Sequence, residues 1–120
     1  MNKYHAEHTW VRLEGSTAWV GITQHAQDTL GDIVFIDFAE VSKNFAQGTV
    51  AGVVESVKAA ADVHMPASVE ILEQNEALRA DPSLANSDPE GAGWFYKVKL
   101  SNPAELDGLM DASAYQAISG

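Results

Sequence analysis

Gly48-Thr49-Val50-Ala51-Gly52-Val53-Val54-Glu55-Ser56-Val57-Lys58-Ala59-Ala60-Ala61-Asp62-Val63-His64-Met65-Pro66 decides the fold. Its first half is a β-branched run, Thr49, Val50, Val53, Val54 and Val57. Such side chains suit a pleated, half-buried surface and predict a strand. The alanines at 59, 60 and 61, with Asp62, predict a tight reversal, and Val63 to Met65 opens the return strand. Lys58 is the only lysine or arginine between Lys43 and Arg79. The pattern therefore sets one long amine at a hairpin tip among small side chains. An ordinary surface lysine is the competing reading, and the pattern alone leaves both open.

Hairpins continue on either side. Tyr4 to Leu13 carries Trp10, Val11 and Leu13 at strand-like spacing, Glu14-Gly15-Ser16 signals a turn, and Thr17 to Ile22 returns. Thr23 is a good helix N-cap for Gln24 to Leu30, with Gly31 as the stop and Ala26 and Leu30 facing the core. Asp32 to Phe38 alternates between two largely apolar faces, Ile33, Phe35 and Asp37 against Val34, Ile36 and Phe38. That predicts a strand buried on both sides. Val41 to Gln47 reads as a loop. Beyond Pro66-Ala67-Ser68 come a strand from Val69 to Leu72, a short helix or turn from Gln74 to Ala80, and a loop from Asn86 to Gly93. Trp94 to Leu100 alternates again, with Lys97 and Lys99 on one face. Asn102 and Pro103 open a last helix whose stripe is Leu106, Leu109, Met110, Tyr115 and Ile118. Short strands divided by Gly, Pro, Asn and Asp turns favour one β sandwich or barrel spanning residues 1–120.

Bulk composition excludes several functions. The 120 residues suit one modest core, and 46% apolar content supports folding. The net charge of −10, from 17 acids against 7 bases, leaves no basic footprint for nucleic acid. It suits solubility, or steering toward a partner with a basic face. No apolar run is long enough for a membrane helix, and no leader is visible, which predicts a bacterial cytoplasmic protein, or a mitochondrial matrix one if processed. With no cysteine, disulfides and thiolate chemistry are excluded. His5 and His8 lie near the terminus while His25 and His64 are isolated, so no metal site is expected. No serine lies in a Gly-x-Ser-x-Gly elbow, and neither Gly48 nor Gly52 opens a phosphate loop. By elimination, the chain has no chemistry of its own beyond what Lys58 can carry.

Glu55-Ser56-Val57-Lys58-Ala59 resembles the lipoylation motif of the glycine cleavage system H-protein family. Further segments resemble it in the same order: Gly21-Ile22-Thr23, Leu30-Gly31-Asp32-Ile33-Val34-Phe35, Asn86-Ser87-Asp88-Pro89 and Gly93-Trp94. The resemblance runs from about Tyr4 to Ile118. It implies a mainly β fold, the lipoyl-type barrel-sandwich hybrid of two small antiparallel sheets with short peripheral helices and a C-terminal helix. It also implies a non-catalytic carrier within a multienzyme system, with lipoic acid bound covalently to Lys58 by a lipoylating enzyme. Biotin is the rival cofactor, but its carrier motif flanks the lysine with methionines, where this chain has Val57 and Ala59.

The implied cycle is glycine catabolism. A PLP-dependent glycine decarboxylase loads an aminomethyl group, a tetrahydrofolate-dependent aminomethyltransferase takes the methylene, and dihydrolipoyl dehydrogenase reoxidises the dithiol. Glu55 matches the motif acid and is expected to aid lipoylation; its alternative is a solvated turn residue. Asp62 is expected to pair with the aminomethyl ammonium, or else to close the turn. The family acid of a His-Glu-Trp string is replaced in His8-Thr9-Trp10. Glu7 would share a strand face with Thr9 and is expected to take over the ammonium contact, with Thr9 adding a hydroxyl and Ile22 lining the apolar part of the cleft. A weakened cleft is the alternative. Val69 stands for a turn glycine, Ser42 for a frequent glycine, Ala39 for a proline and Glu90 for a tyrosine. The departures at Thr9 and Val69 keep open a lipoyl relay to 2-oxo acid dehydrogenases; a third reading, in another class, is a protein-interaction domain with unmodified Lys58.

Overall fold

A computed structural model describes residues 2–119. Among the described residues, nine strands form two antiparallel sheets. The larger contains β1 (Asn2–His5), β2 (Thr9–Glu14), β3 (Thr17–Ile22), β5 (Asn44–Phe45), β8 (Val69–Gln74) and β9 (Tyr96–Leu100), in the order β1-β2-β3-β9-β8-β5. The smaller contains β4 (Ile33–Phe38), β6 (Val50–Ser56) and β7 (Ala60–His64), in the order β4-β6-β7. Helices α1 (Gln24–Leu30), α2 (Glu76–Ala80), α3 (Leu84–Ser87) and α4 (Ala112–Ser119) lie around them, with a 3₁₀ turn over Pro103–Gly108. The architecture is the expected mainly β sandwich with peripheral helices and a C-terminal helix; neither sheet closes into a barrel.

Side chains from both sheets meet in one core that includes Val11, Val20, Ile36, Val54, Val63, Ile71, Phe95 and Val98. A second cluster, Tyr4, Trp10 and Tyr115 with Trp19, Trp94 and Met110, covers the other face of the N-terminal strands. Alternation along β2 therefore puts Trp10 and Val11 into two different apolar layers, and both are fully buried. The Trp10 indole donates to the carbonyls of Ile22 and Pro89, at 2.9 and 3.0 Å. Gly21 is the cross-strand partner of Trp10, and a Cβ there would come within 2.9 Å of the indole nitrogen. The glycine makes room for the ring.

Several expectations give way to tertiary context. The predicted strand from Tyr4 to Leu13 is broken by a turn at residues 6–8, where His8 sits at φ 68°. Strand β4 is not buried on both faces. Its register shifts between Ile33 and Phe35, so Ile33 and Ile36 point inward while Val34 and Phe35 are both exposed. The loop at 41–47 contains β5, which pairs with Val69 and Glu70. Ala60, Ala61 and Asp62 belong to β7, so the reversal is Val57-Lys58-Ala59 alone and Asp62 does not close it.

The single predicted C-terminal helix is two pieces. Leu109 adopts extended backbone, and Asp111 restarts the helix by accepting from the Ala114 amide at 2.9 Å. Asn102 makes no side-chain cap, and Ile118 is exposed. Ser42 lies at φ 71°, the left-handed region that favours glycine. Val69, by contrast, is a buried residue of β8 paired with Leu100. The Ala39 amide donates to the Tyr96 hydroxyl at 2.7 Å, a bond proline cannot make.

Candidate functional site

Lys58 occupies the tip of the β6–β7 hairpin and is exposed. Ser56 builds that tip. Its amide donates to the Ala59 carbonyl at 2.8 Å, and its hydroxyl oxygen accepts from the Lys58 and Ala59 amides at 3.3 and 3.1 Å. A short hydroxyl side chain thereby does the work of a turn residue. The tip is also tied down from outside, by the Val57 amide donating to the Asp32 carbonyl at 3.0 Å. Asn86 holds the loop that receives it: its amide nitrogen donates to the Gly31 carbonyl at 2.8 Å and its oxygen accepts from the Ile33 amide at 2.9 Å. The Lys58 stem rests over Gly31, where a Cβ would stand 3.5 Å from Lys58 Cε and 3.9 Å from Nζ. Gly31 is at φ 77° as the cap of α1, so one glycine both ends the helix and leaves room for the lysine.

An open cavity of about 360 Å³ lies between the β7 edge of the small sheet, α1 and the turn before β2. Ile22, Ala26, Leu30, Val54, Ala61 and Val63 give it apolar walls. Glu7, His8, Thr9, His25, Thr29, Asp62 and His64 supply the polar groups. Its β7 wall begins at Ala61, three residues along from Lys58, or about 10 Å at ~3.3 Å per residue. Lys58 itself does not line it. The structure places Glu7, Thr9, Ile22 and Asp62 along the wall of this one cavity. Glu7 and Thr9 do not share a strand face, because Glu7 is in the turn and Thr9 opens β2. Glu55 lies apart, exposed on β6 between Phe35 of β4 and Ala60 of β7.

Thr9 is buried, and its hydroxyl donates to the His64 carbonyl at 2.8 Å, tying the large sheet to the small sheet's edge strand. The proton is committed, but oxygen lone pairs remain to accept. His8 and His25 face each other with ring centroids 4.6 Å apart. Burial lowers the His8 pKa below its ordinary value and His25 lowers it further, against the opposing pull of Glu7. Burial likewise lowers His5, with Glu7 opposing and His64 adding to the shift. The histidines that look isolated in sequence therefore converge on this cavity. Sequence spacing carried no signal of it, because residues 8, 25 and 64 sit on separate elements.

The wall formed by α1 is braced from behind. The Tyr115 hydroxyl lies 2.7 Å from both His8 Nδ1 and Thr23 Oγ1, and its ring stacks on Tyr4 at 4.7 Å. Burial raises the Tyr115 pKa. Glu90 accepts from the Tyr4 hydroxyl at 2.6 Å and from the Gln24 amide at 3.1 Å, at the first turn of α1. Burial and this carboxylate push Tyr4 up to about 12. Glu90 is thus a positioning residue for the cavity wall, a role its place in a Gly-rich loop did not announce.

A sandwich with an exposed amine on a pinned hairpin and an apolar cavity beside it has the form of a carrier scaffold. Residues 2–119 match the family described as Glycine cleavage H-protein. Among relatives, the glycine cleavage system H protein of Symbiobacterium thermophilum is 51% identical over 117 residues, covering 98% of this chain and 91% of that protein. That of Chromobacterium violaceum is 55% identical over 114 residues, covering 94% and 89%. The crystal structure of a glycine cleavage system H protein from Mycobacterium marinum superposes with a TM-score of 0.88 at 36% identity, covering 98% of this chain and 94% of that one. The chain belongs to the glycine cleavage H-protein family, a family of lipoyl carriers. Membership in that system implies partner enzymes, and among the described residues no helix is long and apolar enough to cross a membrane.

Proposed function

We propose that Lys58 Nζ bears a lipoyl group in amide linkage and that this chain shuttles the aminomethyl group of glycine. Its partners would be a PLP-dependent glycine decarboxylase, a tetrahydrofolate-dependent aminomethyltransferase and dihydrolipoyl dehydrogenase, in the cytoplasm. The observation that supports this most is the placement of an exposed amine on a pinned hairpin, one edge strand away from a lined cavity. The lipoyl group, when bound, supplies the sulfur chemistry that a chain with no cysteine lacks. The residues fit such a group: Lys58 offers the attachment amine, Ser56 fixes the turn, and Ile22, Ala26, Leu30 and Val54 offer an apolar wall for an aliphatic arm. Glu55 stands exposed three residues before the lysine, open to a lipoylating enzyme. Glu7 and Asp62 are anionic acceptors for an ammonium, and Thr9 Oγ1 retains lone pairs beside them.

The test is the intact mass of protein incubated with lipoic acid, ATP and a lipoylating enzyme, followed by peptide mapping. The expected result is one lipoyl adduct, confined to Lys58, with glycine-dependent reduction once the decarboxylase is added. A folded protein that stays unmodified overturns the proposal. Modification without glycine-dependent reduction points to the lipoyl relay instead. The Glu7 assignment has its own measurement: Glu7→Gln should shorten the lifetime of the loaded arm, and an unchanged lifetime removes Glu7 from the cleft chemistry.

A further inference from the structure

The outer face of the small sheet is apolar where solvent meets it. Cross-strand partners share a face, which aligns Phe35 with Glu55, and Val57 follows β6 at the hairpin turn. The register shift in β4 exposes Val34 next to Phe35. Val34 and Phe35 are each 53% exposed, and Val57 is 70% exposed. Val57 is bonded to the Asp32 carbonyl two residues before Val34, so these side chains flank the root of Lys58. Asp32, Asp37 and Glu55 edge the patch, and none of them joins a salt bridge among the described residues. An apolar patch with an unpaired acidic rim marks a surface for a partner with the opposite charge.

We propose that this face, centred on Phe35 and Val57, docks the enzyme that acylates the Lys58 amine, and that this enzyme presents an apolar patch edged by lysine or arginine. The inference rests on the proposed function above. Its physical basis is reach. Before an arm exists, an acylating active site has to come within bonding distance of Nζ and so must cover the surface around the lysine. Enzymes that act on the far end of a long arm need not touch that surface. The tip is pinned by Ser56 and Asp32, so the amine is presented in a fixed relation to Phe35 and Val57.

The experiment uses the unmodified full chain, a purified lipoate–protein ligase, lipoic acid and ATP. Amide formation is followed by intact mass, and KM for the acceptor protein is separated from kcat. In Phe35→Ser/Val57→Ser, KM is expected to rise about tenfold, ~1.4 kcal/mol of docking, with kcat nearly unchanged. For wild type, KM should also rise with salt. Val57→Ser alone, at an exposed tip, should raise KM several-fold while the melting temperature stays at the wild-type value. Unchanged acetylation of Lys58 by a small activated ester would show that amine reactivity is intact. A KM within twofold of wild type in both variants overturns the docking surface while leaving Lys58 as the modified residue. So does a fall in kcat at constant KM, which would assign the patch to tip geometry. A wild-type dimer that the variants dissociate, with ligase KM unchanged, makes the face a self-interface and overturns the proposal. Wild-type protein that is never acylated overturns the proposed function first and this surface with it.

Discussion

The two sheets use similar valine-rich sequence to opposite ends. In the large sheet the N-terminal strands are covered on both sides, Val11 and Val20 by the main core and Trp10 by the aromatic cluster. In the small sheet only the inner face is covered. Ile33, Ile36, Val54 and Val63 are buried, while Val34, Phe35 and Val57 face solvent. One sheet thus holds the fold and the other presents a lysine on an uncovered surface. A functional group can be mounted on a strand pair without costing stability when the opposite face of that pair supplies the core contacts.

The sharpest division between the sheets is expected at Lys58. Lys58→Arg should abolish lipoyl attachment outright by intact mass, yet leave stability within about 0.5 kcal/mol in urea melts. Loss of folding in that variant would break the separation. Next comes the large sheet. Trp10→Ala removes the fully buried ring and the indole's bonds to Ile22 and Pro89, and should cost about 3–5 kcal/mol. The same melts on Val57→Ser should move less than about 0.5 kcal/mol.

Thr9 joins the two regions, and Thr9→Val removes its bond to the His64 carbonyl while keeping side-chain volume. A loss of about 1 kcal/mol is expected, with faster amide exchange along β7. Exchange unchanged at Asp62 to His64 would mean the sheets are not coupled there.

The smallest effect is in pH. His5 and His8 have folded pKa values below the ordinary 6.5, chiefly through burial. The unfolded chain therefore takes up protons first. Their contribution is intact above pH 6.5 and is lost as pH falls through 6.5 toward the folded values. His8→Asn, which tolerates the left-handed backbone, should flatten that decline in melts between pH 8 and 5. Tyr4, raised to about 12, acts in the other direction: stability is lost as pH rises from 10 toward 12.

Much of the frame was legible locally. Thr23 accepts from the Ala26 amide as the expected cap, and Gly31 ends α1 at positive φ. The valine run of β6 and the alternation of β9 also hold, because burial of one face imposes a period that composition records. Where sequence reading failed, a long-range contact outweighed the local pattern. The alternation from Asp32 to Phe38 gives no sign of the register shift against β6. The alanines after Lys58 suit a turn, but pairing with Val53, Val54 and Glu55 draws Ala60 to Asp62 into a strand. The turn at His8 depends on its amide donating to the His5 carbonyl and its own carbonyl accepting from Thr23.

By itself the sequence determined a β-rich acidic chain with one isolated lysine in a hairpin, since side-chain period, turn residues and charge are local properties. The tertiary structure alone decided which further side chains line the cavity, His25 and His64 among them. The cavity is lined from the turn before β2, from α1 and from the β6–β7 hairpin, and no spacing rule links residues 7, 25 and 62. Sheet packing brings them together, and the bonds from Thr9 to His64, Tyr115 to Thr23, and Glu90 to Gln24 hold them there.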